Sequence, residues 1–390
     1  MMQDTSLYFH IPFCVHRCAY CDFNTYAGQE ASIPAYVQAL CREVEHVGRK
    51  APAKLPVHTV FFGGGTPSLL TPGQFESIFA ATRSSFALSD DAEVTMEANP
   101  GTVSPGDLQK LRTLGLNRIS YGVQSANTEE LRMLERVHDF FEVIEAVASA
   151  RKAGFDNLNL DIIYGLPEQK LETWQTTVKR VIDLHPEHIS AYALTLEHGT
   201  PFGRWSTRGL MPAPDPDLAA DMYEWASETL EAHGYLQYEI SNWAKPGREC
   251  RHNLQYWRGL PYLAFGAGGH GYANGYRYSN ALRIKTYIDR LADPETSSLP
   301  FPLSPSTVNQ HRQTSTDDRS EFMMTGLRLT EEGVSADEFE SRFGIRLLDL
   351  YGKEVESLRL KGLVEWKEDH LRLTRRGRLL GNQVFMQFVG

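Results

Sequence analysis

Three of the chain's five cysteines lie close together near its start, in the segment "FCVHRCAYCDF". Cys14, Cys18 and Cys21 follow the spacing C-x3-C-x2-C, which lets three thiolates on a short loop converge on one inorganic centre. Soft sulfur ligands of this kind favour an iron–sulfur cluster or zinc. Attachment of c-type haem is excluded, because that chemistry needs C-x-x-C-H and Asp22 follows Cys21.

The two remaining cysteines are not predicted to complete the set. Cys41 lies in a helix-like stretch, where a buried thiol acting as a small hydrophobe is the default interpretation, and Cys250 is far away in sequence. A four-iron cluster held by three thiolates leaves one iron open to an external ligand. A zinc site that adds His10 or His16 is the alternative, and the spacing alone leaves both open.

The elements that would carry this loop alternate between strand and helix. Six β-rich stretches in the first half are separated by helix-length amphipathic stretches such as 34–50, 72–86 and 142–153. This alternation predicts an α/β fold whose right-handed crossovers curl parallel strands into a partial (β/α)6 TIM-like barrel. Two further units that would complete an eight-fold barrel are not evident. The six stretches are "LYFHIP", "HTVFFGG", "EVTMEAN", "RISYGVQ", "NLNLDIIYG" and "HISAYALT".

Residue alternation within three of these strands places polar side chains on one face. Thr95 and Glu97 share one face of "EVTMEAN", and Gln124 and Asp161 occupy the polar faces of the next two strands. A filled barrel is lined largely by Val, Ile and Leu, so polar inner faces predict an open lumen that receives a ligand near the C-terminal strand ends. An open sheet with one solvated face is the alternative.

A domain boundary is predicted where Pro and Ser accumulate without periodicity, at 293–309. We therefore expect a barrel domain with an aromatic and Gly-rich extension over 1–300 and a C-terminal domain over 310–390. Candidate helices at 318–329, 336–342 and 347–361, followed by a hairpin, indicate a winged-helix-like module. This module carries 13 Lys and Arg against 14 Asp and Glu, so it lacks the basic surface that nucleic-acid binding needs.

Composition and charge limit the partners and the cellular compartment that we expect for the protein. The net charge of −10 argues against a phosphate backbone as the main partner, so no nucleic-acid partner is expected. No apolar run is long enough to span a membrane, and the N-terminus shows no secretory signal pattern, so no transmembrane segment is expected. An odd number of cysteines favours a reducing compartment, and we expect a cytoplasmic protein.

The cysteine spacing directly after a first strand, with aromatic Tyr20 before the third cysteine, resembles the radical S-adenosylmethionine (SAM) family. In that family the three cysteines hold a 4Fe-4S cluster whose open iron binds the amino and carboxylate groups of SAM. The reduced cluster can cleave SAM to a 5'-deoxyadenosyl radical, and the protein positions and shields this chemistry. The resemblance implies Cys14, Cys18 and Cys21 as the cluster ligands.

Further segments support the resemblance and imply the residues that bind SAM. "GGGTPS", at 63–68, resembles the family's glycine-rich segment that receives the methionine amino group, since glycines let the backbone approach a ligand closely. The polar strand faces, and Arg136 in the loop after the fourth strand, would reach the same barrel mouth. No catalytic residue is assigned. The expected SAM-binding residues are Tyr8, Tyr20, Gly64, Gly65, Thr66, Glu97, Gln124, Arg136 and Asp161.

Within the family, the chain resembles the branch that contains anaerobic coproporphyrinogen III dehydrogenase and the HemW-type haem chaperones. The dehydrogenase carries a further cysteine where this chain has Phe23, and it has an N-terminal extension before the first strand. "HNLQYW", at 252–257, resembles the H-N-x-x-Y-W motif of the chaperones. The resemblance therefore implies a chaperone that holds the cluster, SAM and haem and delivers haem to apo-haemoproteins such as respiratory cytochromes. The intact cofactor residues remain compatible with radical chemistry.

Haem needs a broad apolar slot and an imidazole or thiolate ligand for its iron. Aromatic residues are dense over 243–278, and with "HNLQYW" among them we expect His252 to ligate or closely contact haem. His270 and Cys250 are the next candidates. The alternative is a purely structural role, in which these aromatic residues belong to the core that closes the barrel and His252 only makes a hydrogen bond.

Two functions of other classes compete with the chaperone. The first is oxidative decarboxylation of coproporphyrinogen III, which the departures at Phe23 and "HNLQYW" disfavour. The second is a radical enzyme that modifies tRNA, which the acidic charge disfavours.

Overall fold

The computed structural model describes residues 5–389, and its centre is a 12-stranded sheet with six parallel strands that follow one another in chain order. All six predicted strands are present, which confirms the α/β class and the partial (β/α)6 barrel. The six strands are β1 (Thr5–Ile11), β2 (Pro56–Gly64), β3 (Ala87–Ala98), β4 (Arg118–Gln124), β5 (Leu158–Tyr164) and β6 (His188–Ala193).

The register of these strands brings their C-terminal ends together. Glu97 on β3 lies beside Ser120 on β4, and Gly122 on β4 lies beside Asp161 on β5. Because side chains alternate between faces along a strand, this register puts the polar residues of neighbouring strands on the same inner face. The predicted polar face therefore lies within one layer of the barrel.

Helices cover the outer face of the strands. Capping explains where two of them begin: Thr71 and Gln74 form a capping box at α2, and Asp139 and Glu142 form another at α5. The apolar faces of the helices pack on buried residues of the sheet such as Phe9 and form one core. The helices of this half are α1 (Ile33–Lys50), α2 (Pro72–Ser85), α3 (Pro105–Leu114), α4 (Thr128–Met133), α5 (Phe140–Lys152), α6 (Leu171–Ile182), α7 (Pro201–Thr207) and α8 (Pro216–Ala232).

Shorter strands extend the sheet beyond both ends of the barrel. β8 pairs antiparallel with β6, whereas β9 pairs parallel with β1 and begins an antiparallel run that ends at β12. These strands occupy the flanks where two further β/α units would close a complete barrel. They are β7 (Leu236–Glu239), β8 (Asn242–Ala244), β9 (Tyr262–Phe265), β10 (His270–Ala273), β11 (Tyr276–Asn280) and β12 (Thr307–Arg312). The helices between them are α9 (Arg251–Trp257) and α10 (Ile284–Arg290).

The Pro- and Ser-rich stretch at 293–309 packs closely against α1. Ser304 and Ser306 donate hydrogen bonds to the buried Glu43 carboxylate of α1, at 2.7 and 2.5 Å. Burial raises the pKa of Glu43, and the two hydroxyls with Tyr287 oppose that rise. The stretch also leads into β12, so it belongs to the packed body of the barrel half.

The C-terminal region has the predicted three helices and hairpin, with helix ends displaced by a few residues. Its separate core includes Phe322, Phe339 and Leu371. Trp257 of α9 lies under the Arg328 guanidinium at 4.3 Å from the ring centre, which joins this core region to the barrel. The elements are α11 (Ser315–Gly326), β13 (Val334–Ser335), α12 (Ala336–Phe343), α13 (Leu347–Leu360), β14 (Val364–Lys367), β15 (His370–Leu373), α14 (Arg375–Leu379) and α15 (Gly381–Phe385).

Short pieces complete the described chain. They are the paired strands Phe13–Cys14 and Tyr26–Ala27, and the 3-10 helices Glu30–Ser32, Pro67–Leu69, Pro294–Thr296 and Met386–Phe388. Across residues 5–389, none of the helices has the length and apolar character that a membrane span requires.

Candidate functional site

A cavity of about 480 Å³ opens at the C-terminal ends of the barrel strands. The three clustered cysteines line it together with Tyr20, and so do residues from β2 to β6 and from the loops that follow these strands. Of the predicted site residues, those that line it are Cys14, Cys18, Tyr20, Cys21, Gly64, Gly65, Thr66, Glu97, Gln124, Arg136 and Asp161. One cavity therefore brings together all the predicted residues except Tyr8 and His252.

The cysteine loop is attached to the glycine-rich segment by backbone hydrogen bonds. The N–H of Gly65 donates to the carbonyl of Ile11 at 2.9 Å, and the N–H of Thr66 donates to that of Phe13 at 2.7 Å. Gly65 has no room for a side chain, since an added Cβ would lie 2.6 Å from the Phe13 carbonyl oxygen. Cys14, directly after Phe13, is thereby held against "GGGTPS".

The thiols lie in a partly dehydrated environment and influence one another. Burial raises the pKa of Cys14, the Thr66 hydroxyl opposes that rise, and Cys21 and Cys18 add to it. Burial also raises the pKa of Cys21, against hydrogen bonds from the Phe23 backbone and from Thr25. Such thiols become thiolates readily only when a cation or metal centre compensates the charge.

The side chains around the cysteines can be compared with the needs of a single metal ion and of a cluster. Within residues 5–389, no three His, Cys, Asp or Glu side chains are grouped so that they could hold one ion. His10 is also occupied, because its Nδ1 is 3.0 Å from the Tyr8 hydroxyl and its Nε2 is 2.9 Å from the Asn24 carbonyl. His16, the other candidate for a zinc site, lines the cavity, and its Nε2 lies 3.1 Å from Glu135 Oε2. A cluster presents a different iron to each thiolate, so three cysteines suffice to hold it without a fourth protein ligand.

Gly64 shapes the cavity beside Glu97. Its φ of +108° lies in the region that favours glycine, and an added Cβ would lie 2.4 Å from the His10 ring. Its N–H donates to Glu97 Oε2 at 2.9 Å, which orients the carboxylate. The carboxylate lines the cavity in this orientation.

Glu97 on β3 and Asp161 on β5 form an acidic pair in the wall of the cavity. Burial and the nearby Asp161 raise the pKa of Glu97 to about 7, and the Gly64 N–H opposes this rise. Burial also raises the pKa of Asp161, while Ser120 and Asn159 donate to its two oxygens at 2.8 Å each. Two carboxylates held in this way suit a ligand that brings hydroxyl donors and positive charge.

Gln124 and Arg136 line the cavity next to this pair, because β4 lies between the strands that carry Glu97 and Asp161. Gln124 has a φ of +67°, a conformation that residues other than glycine seldom adopt and that often marks functional sites. Arg136 donates through Nη2 to the Gly122 carbonyl at 2.9 Å and through Nη1 to Cys18 Sγ at 3.8 Å. The guanidinium therefore supplies positive charge beside the thiols.

Tyr8 lies below the cavity. Its ring stacks on Phe61 with centroids 6.3 Å apart and is tilted against His252 at 6.5 Å. Burial raises the pKa of its hydroxyl, which contacts His10. Tyr8 thus connects the layer under the cysteine loop with α9.

His252 lies in the interior, towards the N-terminal ends of the strands. Only 1% of it is exposed, its Nδ1 is 2.7 Å from Thr59 Oγ1, and its Nε2 is 2.8 Å from the Tyr256 hydroxyl. Burial lowers the pKa of His252 to about 3, so the ring is neutral. Ligation of haem iron by this imidazole would require one of these two hydrogen bonds to open.

The other haem candidates lie in different places. Cys250 is fully buried and donates to Glu93 Oε1 at 3.6 Å, while burial raises its pKa to about 12. His270 is exposed on β10. Phe265 is buried against Phe9, and Tyr272 lies under the Arg277 guanidinium. These side chains do not line the cysteine cavity.

Sequence reasoning missed several cavity residues. Asn99 follows Glu97 by two positions and continues the same polar strand face, so the alternation already contained this signal. Ser120 shares the polar face of "RISYGVQ" with Gly122 and Gln124, but the alternation alone did not single it out as a site residue. Thr25, by contrast, follows the cysteine loop without periodicity, and no pattern in the sequence indicated its place.

Known proteins resemble the chain over its full length. Residues 8–181 match the radical SAM superfamily, and residues 313–380 match the HemN C-terminal domain. The chain is 38% identical to the haem chaperone HemW of Bacillus subtilis, over 99% of each chain, and 35% identical to that of Escherichia coli, over 98% of each. The solved structure of the radical SAM enzyme coproporphyrinogen III oxidase (HemN) from Escherichia coli has a similar fold, with a TM-score of 0.85 and 25% identity over 100% of this chain and 90% of that one.

Proposed function

Because the chain belongs to the HemW family within the radical SAM superfamily, we propose that it binds a 4Fe-4S cluster, SAM and haem and delivers the haem to apo-haemoproteins. The observation that carries this proposal is the identity of 38% to a protein named haem chaperone HemW across 99% of both chains. At that coverage the likeness includes the cysteine cavity, α9 and the C-terminal region.

Cys14, Cys18 and Cys21 would hold the cluster, which supplies reducing electrons and, at its fourth iron, a site for an external ligand. The protein's own part is to shield these thiols from water and to keep them ionised. The cysteine loop achieves the first by its attachment to the glycine-rich segment, and the hydroxyls and guanidinium around the sulfurs contribute to the second.

SAM would occupy the cavity above the acidic pair. Glu97, oriented by the Gly64 N–H, would accept from the methionine amino group, and the Arg136 guanidinium would face the carboxylate. Asp161, Gln124, Gly65, Thr66 and Tyr20 would contact the remainder of the nucleoside or its methionine part. Tyr8 would support the layer beneath.

Haem would bind with an imidazole or thiolate on its iron, and His252 is the ligand that we propose first. The buried neutral ring has the protonation state that metal ligation needs. Its Nε2 would have to leave the Tyr256 hydroxyl, so we expect haem binding at this position to be slow and to displace part of α9. His270 on β10 is the exposed alternative and would bind without such opening.

A haem titration followed by Soret absorbance tests this proposal. Wild-type protein reconstituted without oxygen should bind haem, and His252→Ala should lose most of that binding while keeping its iron–sulfur absorbance and SAM affinity. His270→Ala is the matched control that removes an exposed imidazole of the same region. Full haem retention in His252→Ala with loss in His270→Ala would move the ligand to β10, and absence of haem binding by the wild type would overturn the chaperone function.

The observation favouring a second function is the fold likeness to coproporphyrinogen III oxidase, at a TM-score of 0.85. Oxidative decarboxylation of coproporphyrinogen III would use the same cavity. Incubation of the reconstituted protein with this substrate and SAM, followed by mass spectrometry of the porphyrins, separates the two functions. Loss of two carboxyl groups from the substrate would support the enzyme, and unchanged substrate with intact haem binding would support the chaperone.

A further inference from the structure

A chain of hydrogen bonds runs from Arg136 to Cys14 along the wall of the cavity. Arg136 Nη2 donates to Asn99 Oδ1, Asn99 Nδ2 donates to Thr66 Oγ1 at 3.1 Å, and Thr66 Oγ1 donates to Cys14 Sγ at 3.6 Å. Asn99 is the central member, with one polar atom on each neighbour. In this chain of hydrogen bonds, Asn99 does not contact a thiol directly.

The direction of every bond in this chain follows from the guanidinium. Arginine has only donors, so the atom of Asn99 that faces it must be the carbonyl oxygen, and the amide nitrogen must face Thr66. Because Thr66 accepts from this amide, its single hydroxyl proton is left to point at Cys14. Asn99 thus fixes the polarity of a donor aimed at a buried sulfur, with Cys14 only 8% exposed and Thr66 only 3%.

The Arg136 guanidinium is held in place by a further hydrogen bond and also donates to a second thiol. Its Nη2 also donates to the Gly122 carbonyl at 2.9 Å, and its Nη1 donates to Cys18 Sγ at 3.8 Å. A Cβ at Gly122 would lie 3.3 Å from both Arg136 Nη2 and Asn99 Oδ1, so the pair fits closely over this glycine. One arginine therefore reaches Cys18 directly and Cys14 through two intermediates.

We propose that Asn99 is a positioning residue that directs hydrogen bonds from Thr66 and Arg136 onto the sulfurs of Cys14 and Cys18 and thereby raises the reduction potential of the cluster they bind. Reduction adds negative charge to a cluster, and donors to its sulfurs stabilise that charge. The same donors stabilise thiolate ligation. The inference rests on the proposed function in one respect, the presence of the cluster.

Two substitutions at Thr66 separate the effect of its hydroxyl donor from the effect of its side-chain packing. Thr66→Val keeps the shape and removes the hydroxyl, whereas Thr66→Ser keeps the hydroxyl. At the centre of the chain, Asn99→Asp replaces the amide with a second acceptor, so the Thr66 proton turns from Cys14 towards the new carboxylate. This variant also adds a charge, and Thr66→Val shows the effect of the lost donor without it.

The measurement is the midpoint potential of each reconstituted protein, from a redox titration followed by electron paramagnetic resonance without SAM. We expect a shift to more negative potential in Thr66→Val, a larger one in Asn99→Asp, and the wild-type value in Thr66→Ser. Iron loss to a chelator is the second readout. Iron loss should be about ten-fold faster in Thr66→Val and Asn99→Asp than in the wild type, and unchanged in Thr66→Ser. It can also be measured in variants that assemble too little cluster for a redox titration.

A wild-type potential and a wild-type rate of iron loss in Thr66→Val would overturn the inference and leave the proposed function intact. Equal shifts in Thr66→Val and Thr66→Ser would also overturn it, because the effect would then come from packing. A wild-type protein that binds no iron would instead refute the cluster itself.

Discussion

Glu97 allows a quantitative test of the cofactor cavity, because its neighbours set both its orientation and its ionisation. The Gly64 N–H holds one oxygen at 2.9 Å, and burial with the nearby Asp161 raises the pKa of the carboxyl to about 7. Only the ionised form can accept a charge-assisted hydrogen bond from an ammonium group. SAM binding should therefore depend on pH in the neutral range.

The size of the effect follows from the ionised fraction. A carboxyl with a pKa of about 7 is about one-tenth ionised at pH 6 and about nine-tenths ionised at pH 8. Apparent affinity scales with the competent fraction, so the Kd for SAM should fall about ten-fold over this interval. Glu97→Gln should weaken binding at pH 8 by about ten- to a hundred-fold, corresponding to about 1.5–3 kcal/mol for one charge-assisted contact.

Isothermal titration calorimetry at several pH values, on protein with its cluster in place, provides the measurement. In Glu97→Gln, the pH dependence of the Kd comes from titration of SAM itself. The difference between this profile and that of the wild type is the contribution of the Glu97 carboxyl. Asp161→Asn should move the wild-type midpoint to lower pH, because the removed charge is one cause of the raised pKa of Glu97. Equal pH profiles for wild type and Glu97→Gln would refute the assignment of Glu97 to the ligand's amino group.

Three further outcomes are expected. Protein purified without oxygen should be brown with about four irons per chain, and stoichiometric zinc without iron would contradict the cluster. Without ligand, the contribution of neutral buried Glu97 to stability is complete below pH of about 4.5 and is lost as pH rises through its pKa of about 7. Urea unfolding should therefore show a larger loss between pH 5 and pH 8 in wild type than in Glu97→Gln, and parallel curves would exclude this. Gly64→Ala should lower both the urea midpoint and the SAM affinity, because a φ of +108° and the nearby His10 ring leave no room for a methyl group. Wild-type values for both quantities would contradict this expectation and show that the loop adapts.

The barrel and most of its cavity could be predicted because both depend on local patterns. Parallel strands alternate with helices along the chain, and polar residues alternate with apolar ones along each strand, so Glu97, Gln124 and Asp161 could be placed on one face. The cysteine spacing is likewise local. The resemblance to a known family assigned ligands to these positions.

The position of α9 could not be predicted, since it depends on contacts between distant parts of the chain. The Glu93 carboxylate accepts from the backbone N–H groups of Arg251 and His252 at 3.1 Å each and so receives the first turn of the helix. Thr59, on another strand, then forms a hydrogen bond with Nδ1 of the imidazole at 2.7 Å. No periodicity near "HNLQYW" indicates that partners so distant in sequence enclose the histidine.

The flanks of the sheet escaped prediction for a related reason. β9 pairs in parallel with β1 although more than 250 residues separate them, as in the pairing of Tyr8 with Ala264. Short strands of four residues carry little alternation, and their place depends on which edge of the sheet is free.

Transfer of haem tests the central claim most directly. Wild-type protein loaded with haem is mixed with the haem-free form of a b-type cytochrome, the two are separated by gel filtration, and Soret absorbance is measured in each fraction. We predict that the Soret band leaves this protein and appears with the cytochrome, whereas the band stays with this protein when no acceptor is present. A wild-type protein that takes up no haem, or that retains all of it in the presence of the acceptor, would contradict the proposed delivery of haem.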